Sequence, residues 1–190
     1  MYLKNSFIII FFVILSCQPV EILKPIEIDT SRFEKISINA EQIQVNNKYN
    51  SVFSKSNIED QIKKSPINLM AEWNSQNILK LGSENKLVIN ILDASIKKTE
   101  IMNVDAKKYE EKTIFKYEVF YLVEYELYDS SGFLIANTTV ETLRSTTSQK
   151  YISLNETEII INDLLILGMK DYISETKNQL SIYMGDYLSL

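Results

Sequence analysis

The sequence predicts an α+β fold: a two-layer sandwich in which two helices cover one face of a mostly antiparallel four-stranded sheet, in the order β-α-β-β-β-α. Three observations carry this expectation. Residues 115–146 form two alternating segments about a D-S-S-G turn, the signature of a β-hairpin. Residues 65–81 and 153–183 repeat apolar side chains at helical spacing behind good N-caps. Three strand-like segments follow one another between the two helices, which favours an antiparallel sheet with the helices on one side.

The first strand is expected over 33–45. Ile36, Ile38 and Ala40 alternate, then Ile43 and Val45 alternate on the opposite parity, a slip that a β-bulge near Glu41 would absorb. Residues 46–64 have the composition of a loop. A helix is predicted from Ser65, with Pro66 in its first turn and Met70, Trp73, Asn77, Ile78 and Leu81 on one face, stopped by Gly82. Trp73 is taken as core rather than as a ligand platform.

Residues 87–101 are nearly continuous in apolar content and so predict a central strand, interrupted by Asp93. A carboxylate there is either hydrogen-bonded at a bulge or functional, and the structural alternative is preferred because buried polar groups usually find partners. Polar residues 102–112 predict a connecting arm. In "IFKYEVFYLVEYELYD", Phe115, Tyr117, Val119, Tyr121, Val123, Tyr125 and Leu127 share one parity; Lys116, Glu118, Glu124 and Glu126 share the other with Phe120 and Leu122. Residues 134–146 return as the fourth strand. Ser153 and Glu156 then make a capping box ahead of a stripe running from Ile161 through Leu164, Leu165, Met169 and Tyr172 to Tyr183.

Composition narrows the chemistry. The chain has 190 residues, a formal charge of −5, no histidine and one cysteine. Without histidine the commonest general base and transition-metal ligand are missing. A single cysteine rules out a disulfide within one chain. An acidic balance with only two arginines, Arg32 and Arg144, argues against a nucleic-acid partner. No catalytic residue, metal ligand or cofactor site is assigned.

The cysteine lies where it explains itself. Residues 7–15 are uninterrupted hydrophobes behind Lys4, too few to span a bilayer core of ~30 Å and of the form of a signal-peptide apolar region. The following Ile14-Leu15-Ser16-Cys17 resembles the lipobox of bacterial lipoproteins, with Ile where that family usually has Leu. The resemblance implies a signal peptide of residues 1–16, cleavage before Cys17, and diacylglycerol and acyl modification of Cys17, so that the bilayer itself becomes a partner. Several chains of ~0.8 kcal/mol per buried methylene would anchor firmly where one does not. Gln18, where the enterobacterial sorting rule wants no Asp, implies the outer membrane. The mature chain would be 190 − 16 = 174 residues: a lipidated tether over 17–30 with a typical reach of ~20 Å, then a single periplasm-facing domain over 31–190. "AEQIQVNNKY", "INLMAEW" and "ILDASI" also resemble a group of uncharacterised proteobacterial outer-membrane lipoproteins, which implies no activity. Two N-x-T sequons, at Asn137 and Asn155, are treated as chance in such a protein.

Three functions remain in view. The first is a non-catalytic accessory or interaction module of the cell envelope. The second is a carrier of a lipid or other apolar ligand, in a cavity lined by Tyr117, Tyr121 and Tyr125. The third is a carboxylate-dependent hydrolase using Glu124 and Glu126, whose Cα atoms would stand ~7 Å apart on one strand face. The first draws on an anomaly: parity puts Phe120 and Leu122 on the face no helix is left to cover, with Val88 and Leu92 placed to join them. Either residues 46–64 or 102–112 fold over this patch, or it meets an envelope protein or a second copy of the chain.

Overall fold

The computed structural model describes residues 28–51 and 54–189; the signal-peptide, Cys17 and most of the tether expectations fall outside the described residues. The architecture is the expected two-layer α+β sandwich. Its large sheet has the order β2-β4-β5-β6, with β2 Gln42–Asn47, β4 Lys86–Met102, β5 Thr113–Tyr128 and β6 Leu134–Gln149. The pairs β4–β5 and β5–β6 are antiparallel, while β2 runs parallel to β4. Two helices, α1 Pro66–Asn77 and α2 Leu154–Tyr183, pack on one face.

The hairpin forms as its pattern dictates. Tyr117, Val119, Tyr121, Val123, Tyr125 and Leu127 are all buried on the helix side of β5. Its turn is built by Asp129, whose carboxylate Oδ1 accepts from the backbone N–H groups of Ser131 at 2.8 Å and Phe133 at 2.9 Å. Gly132 supplies the positive φ, +83°, that the turn requires. Helix α2 starts at the full capping box of Ser153 and Glu156, and its stripe of Leu164, Leu165, Met169 and Tyr172 is buried against the sheet. Trp73 is fully buried, meets Tyr172 edge-on at 5.6 Å between ring centres, and donates its indole N–H to the Glu34 carbonyl at 3.1 Å.

Two local expectations are corrected. Residues 33–45 are not one bulged strand: β1 Ile36–Ile38 belongs to a second, three-stranded sheet of order β3-β1-β7, completed by β3 Ile78–Lys80 and β7 Leu188–Ser189. The slip in parity is a change of sheet. Ile36 and Ile38 bury their side chains beside the small sheet, Ala40 is buried at the crossing, and the chain re-pairs with β4 from Gln42. Helix α1 also ends four residues earlier than the apolar spacing suggests. Asn77 is buried and donates its side-chain N–H to the Phe33 carbonyl at 2.9 Å, while Ile78 turns to extended backbone and pairs with Ile36. Gly82 is therefore no helix stop. It is the point where two backbones meet: a Cβ there would lie 2.7 Å from the Asn39 carbonyl carbon and 2.8 Å from the Ala40 nitrogen.

The expected interruption of the central strand is present. The β4–β5 register shifts between Ile91 and Asp93, making Leu92 the extra residue of a bulge. Asp93 is half-buried beside it, and its Oδ1 has no hydrogen-bond partner among the described residues.

Candidate functional site

The helix-free face of the large sheet is defined by register. Across it run the rows Asp93–Leu122–Glu141 and Ser95–Phe120–Leu143, then Lys97–Glu118–Ser145 on one side and Asn90–Glu124–Thr139 on the other. Phe120 and Leu122 are half-buried, and Leu143 on the outer strand is 62% exposed. These three form an apolar stripe across β5 and β6, bordered by Lys116 and Glu118, which pair at 2.7 Å, and by Glu124 and Glu141.

The other two residues expected in the patch are placed differently. Leu92 sits half-buried at the bulge, next to the Asp93–Leu122 pair. Val88 shares the face but lies opposite Glu126, separated from Leu122 by the Asn90–Glu124 row. Leu143 was not singled out by sequence. Its parity was legible, but its place beside Phe120 depends on a hairpin register that the turn and the bulge at Ile135 set together.

In the first connection, residues 56–58 run along the edge of β4, with Lys98 N–H donating to the Ser56 carbonyl at 2.7 Å and Ile58 N–H to the Ile96 carbonyl at 3.2 Å. Ile58 thereby enters the core on the helix side. The arm between β4 and β5 stands out at the strand ends, with Met102, Val104 and Tyr109 exposed.

The Glu124–Glu126 pair is tied into a structural network. Asn90 is buried, and its Nδ2 donates to Oε2 of Glu124 at 3.0 Å and of Glu126 at 2.9 Å, while its Oδ1 accepts from Asn46 at 3.0 Å. One amide thus holds both carboxylates. Partial desolvation and the Glu126 carboxylate also hold the Tyr128 phenol above its ordinary range. Among the described residues no group of three or more acidic, histidine or cysteine side chains could hold a metal ion. None of the described helices is long and apolar enough to cross a membrane.

The tyrosines expected to line a cavity divide. Tyr121 and Tyr125 are solid core, whereas Tyr117 lies at the edge of a cavity of about 550 Å³. This cavity opens on the helix side between the β4–β5 strand ends, residues 58–63 and the first turns of α2. Phe115, Tyr117, Ile62, Ile152 and Ile161 line it with Lys63, Lys98 and Lys150. Lys98 Nζ sits 3.8 Å from the Phe115 ring centre, a cation held over an aromatic face. Lys150 is engaged by Glu100 at 2.7 Å, and Lys63 by Glu158 at 2.6 Å.

No protein-family model matches the chain, and no curated protein matches it in sequence. Two solved structures are similar in part. A minor lipoprotein from Acinetobacter baumannii superposes with a TM-score of 0.41 at 13% identity, over 80% of this chain and 98% of that one. Rare lipoprotein B from Shewanella oneidensis gives 0.38 at 13% identity, over 73% of this chain and 95% of that one.

Proposed function

We propose that this protein is a lipid-anchored, non-catalytic interaction module of the bacterial cell envelope, acylated at Cys17, held at the outer membrane and facing the periplasm. The lipobox-like Ile14–Cys17 supports the anchor. The interaction reading is carried by one observation: the stripe of Phe120, Leu122 and Leu143 stands on the helix-free face of the sheet, within a frame of charged side chains. A sheet with one wet face normally alternates cleanly, and an apolar patch rimmed by charge is the form of a protein contact site.

Two measurements test this. Cys17→Ser should abolish incorporation of labelled palmitate and leave an uncleaved precursor; a variant still processed like the parent removes the anchor from the proposal. Cross-linking in intact cells should then join the parent chain to one reproducible envelope protein. Phe120→Ser should lose that product while its melting temperature stays close to the parent's. Retention of the product with the Ser variant would mean that the stripe is not the contact.

A second reading, a carrier of amphipathic ligands, is favoured by the 550 Å³ cavity, whose volume falls in the ~300–1,000 Å³ range of ligand pockets. Its apolar wall and the Lys98 ammonium suit an acyl chain with an anionic head. Lipid extracted from the purified protein and lost in Lys98→Glu would support it. Protein purified without bound lipid, and unable to take up a fluorescent fatty acid, would end it.

A further inference from the structure

Strand β6 ends the large sheet, and among the described residues no backbone hydrogen bond leaves its outer edge. It is 16 residues long. It contains no proline, glycine or lysine, and its one irregularity is the bulge at Ile135 near its start. Proteins usually blunt such an edge with short strands, inserted charge, proline or bulges. The opposite side of the sheet is treated that way: β2 is six residues long, and residues 56–58 cover β4 beyond it.

The bare edge is flanked by a second feature. On the helix side, Arg144, Ser145 and Thr146 of β6 border a hollow of about 170 Å³ with Ile160, Asp163, Leu164 and Leu167 of α2. Leu167 is 39% exposed there. Main-chain groups and apolar side chains are thus offered along one line.

We propose that this edge pairs with the same edge of a second copy, antiparallel, about a two-fold axis at Leu143. Charge limits the register. An axis at Glu141 or at Arg144 would set like charges directly opposite one another, which destabilises cross-strand pairs. An axis at Thr142 would oppose Leu143 to Glu141. An axis at Leu143 opposes Leu143 to Leu143 of the second copy, Glu141 to Ser145, Thr139 to Thr147 and Thr142 to Arg144. The paired stretch runs from Asn137 to Gln149, stopping short of the Ile135 bulge. Arg144 keeps its own Asp171 at 2.6 Å throughout. The interface is isologous and closed, as a two-fold dimer requires. It brings the two α2 flanks with Leu167 together and continues the Phe120–Leu143 row into the second copy. The edge shares Leu143 with the apolar stripe; the Thr139–Thr147 cross-link uses none of Phe120, Leu122 and Leu143, and so reads the edge alone.

The full-length lipoprotein in density-matched detergent should sediment as a dimer. Leu143→Cys should form a disulfide-linked dimer on mild oxidation. Opposed residues in antiparallel strands lie ~4.5–5.5 Å apart between Cα atoms, within the span of a disulfide. Thr139→Cys alone should not, because Thr139 faces Thr147; the double variant Thr139→Cys/Thr147→Cys should. Leu143→Lys should weaken dimerisation at least tenfold, and its melting temperature should match the parent's when both are measured dilute enough to be monomeric, because dimer formation itself raises the parent's melting temperature at higher concentration. A monomeric parent chain, an uncross-linked Leu143→Cys, or equal cross-linking by Thr139→Cys alone would overturn the proposal.

Discussion

The Tyr125 hydroxyl on β5 donates to the side-chain oxygen of Asn74 on α1, 3.1 Å away, with both residues fully buried. Asn74 in turn donates its amide N–H to the Met70 carbonyl at 3.0 Å and to the Tyr172 hydroxyl on α2 at 3.2 Å. Tyr172 and Tyr125 also hydrogen-bond each other. One asparagine therefore ties the sheet to both helices, in a region where every unmet polar group is costly. Asn74→Leu should destabilise the fold by about 1–3 kcal/mol for each hydroxyl it strands, and Tyr172→Phe should cost less, because the remaining Tyr125–Asn74 bond survives. Urea unfolding of the two variants decides the order; an Asn74→Leu chain as stable as the parent would mean the network contributes nothing.

The same network predicts a pH response. Burial pushes the Tyr172 phenol up to about 12, and burial with the neighbouring Tyr172 raises Tyr121 and Tyr125 as well. An unfolded tyrosine ionises near ~10. The folded state therefore holds protons that the unfolded state releases, and stability falls as pH rises through that window. This contribution is complete below pH ~10 and is lost progressively from there to about 12. The urea midpoint should drop steeply above pH 10, and Tyr172→Phe should drop less steeply than the parent. Parallel curves would show that Tyr172 does not carry the effect.

Gly82→Ala should be among the most damaging single-methyl changes in the chain. The added Cβ would lie within 3 Å of the Asn39 and Ala40 backbones, which hold β1 and β2 apart at the crossing between sheets. Overpacking of this kind costs ~1–3 kcal/mol, and here the clash is with main chain that is itself anchored, Asn39 N–H donating to the Tyr187 carbonyl at 2.6 Å. A melting temperature equal to the parent's would show that the crossing relaxes freely.

What was legible in the sequence was whatever local periodicity and turn chemistry decide. Tyr117 to Leu127 repeat with period two over one long strand, Asp129 and Gly132 suit their turn, and Ser153 and Glu156 cap α2 by contacts three residues apart. The small sheet was hidden because its strands are two or three residues long and gain their partners from distant chain: Ile36 from Ile78, Ile38 from Leu188. Ile78 fits a helical face and a strand equally well, and its partners at the end of the helix, Phe33 for Asn77 and Ile36 for Ile78, come from distant chain. At the candidate site, parity sufficed to put Phe120 and Leu122 on the open face. It could not separate Val88 from them, since that follows from the β4–β5 register, which sets the Asn90–Glu124 row between Val88 and Leu122.

The two faces of β5 should respond oppositely to mutation. Leu164 on α2 is 2% exposed and packs in the core on the Tyr121 side. Leu164→Ala should cost ~2–5 kcal/mol, because both the transfer energy and a residual cavity count against it. Phe120, across the same strand, pairs with exposed Leu143 and meets no helix. Phe120→Ser should therefore unfold at nearly the parent's urea concentration while losing the cross-linked envelope partner. If Leu164→Ala costs under about 0.5 kcal/mol, well below the core range, α2 is not part of the core. If Phe120→Ser is the more damaging of the two, the helix-free face is a second core and the interaction stripe does not exist.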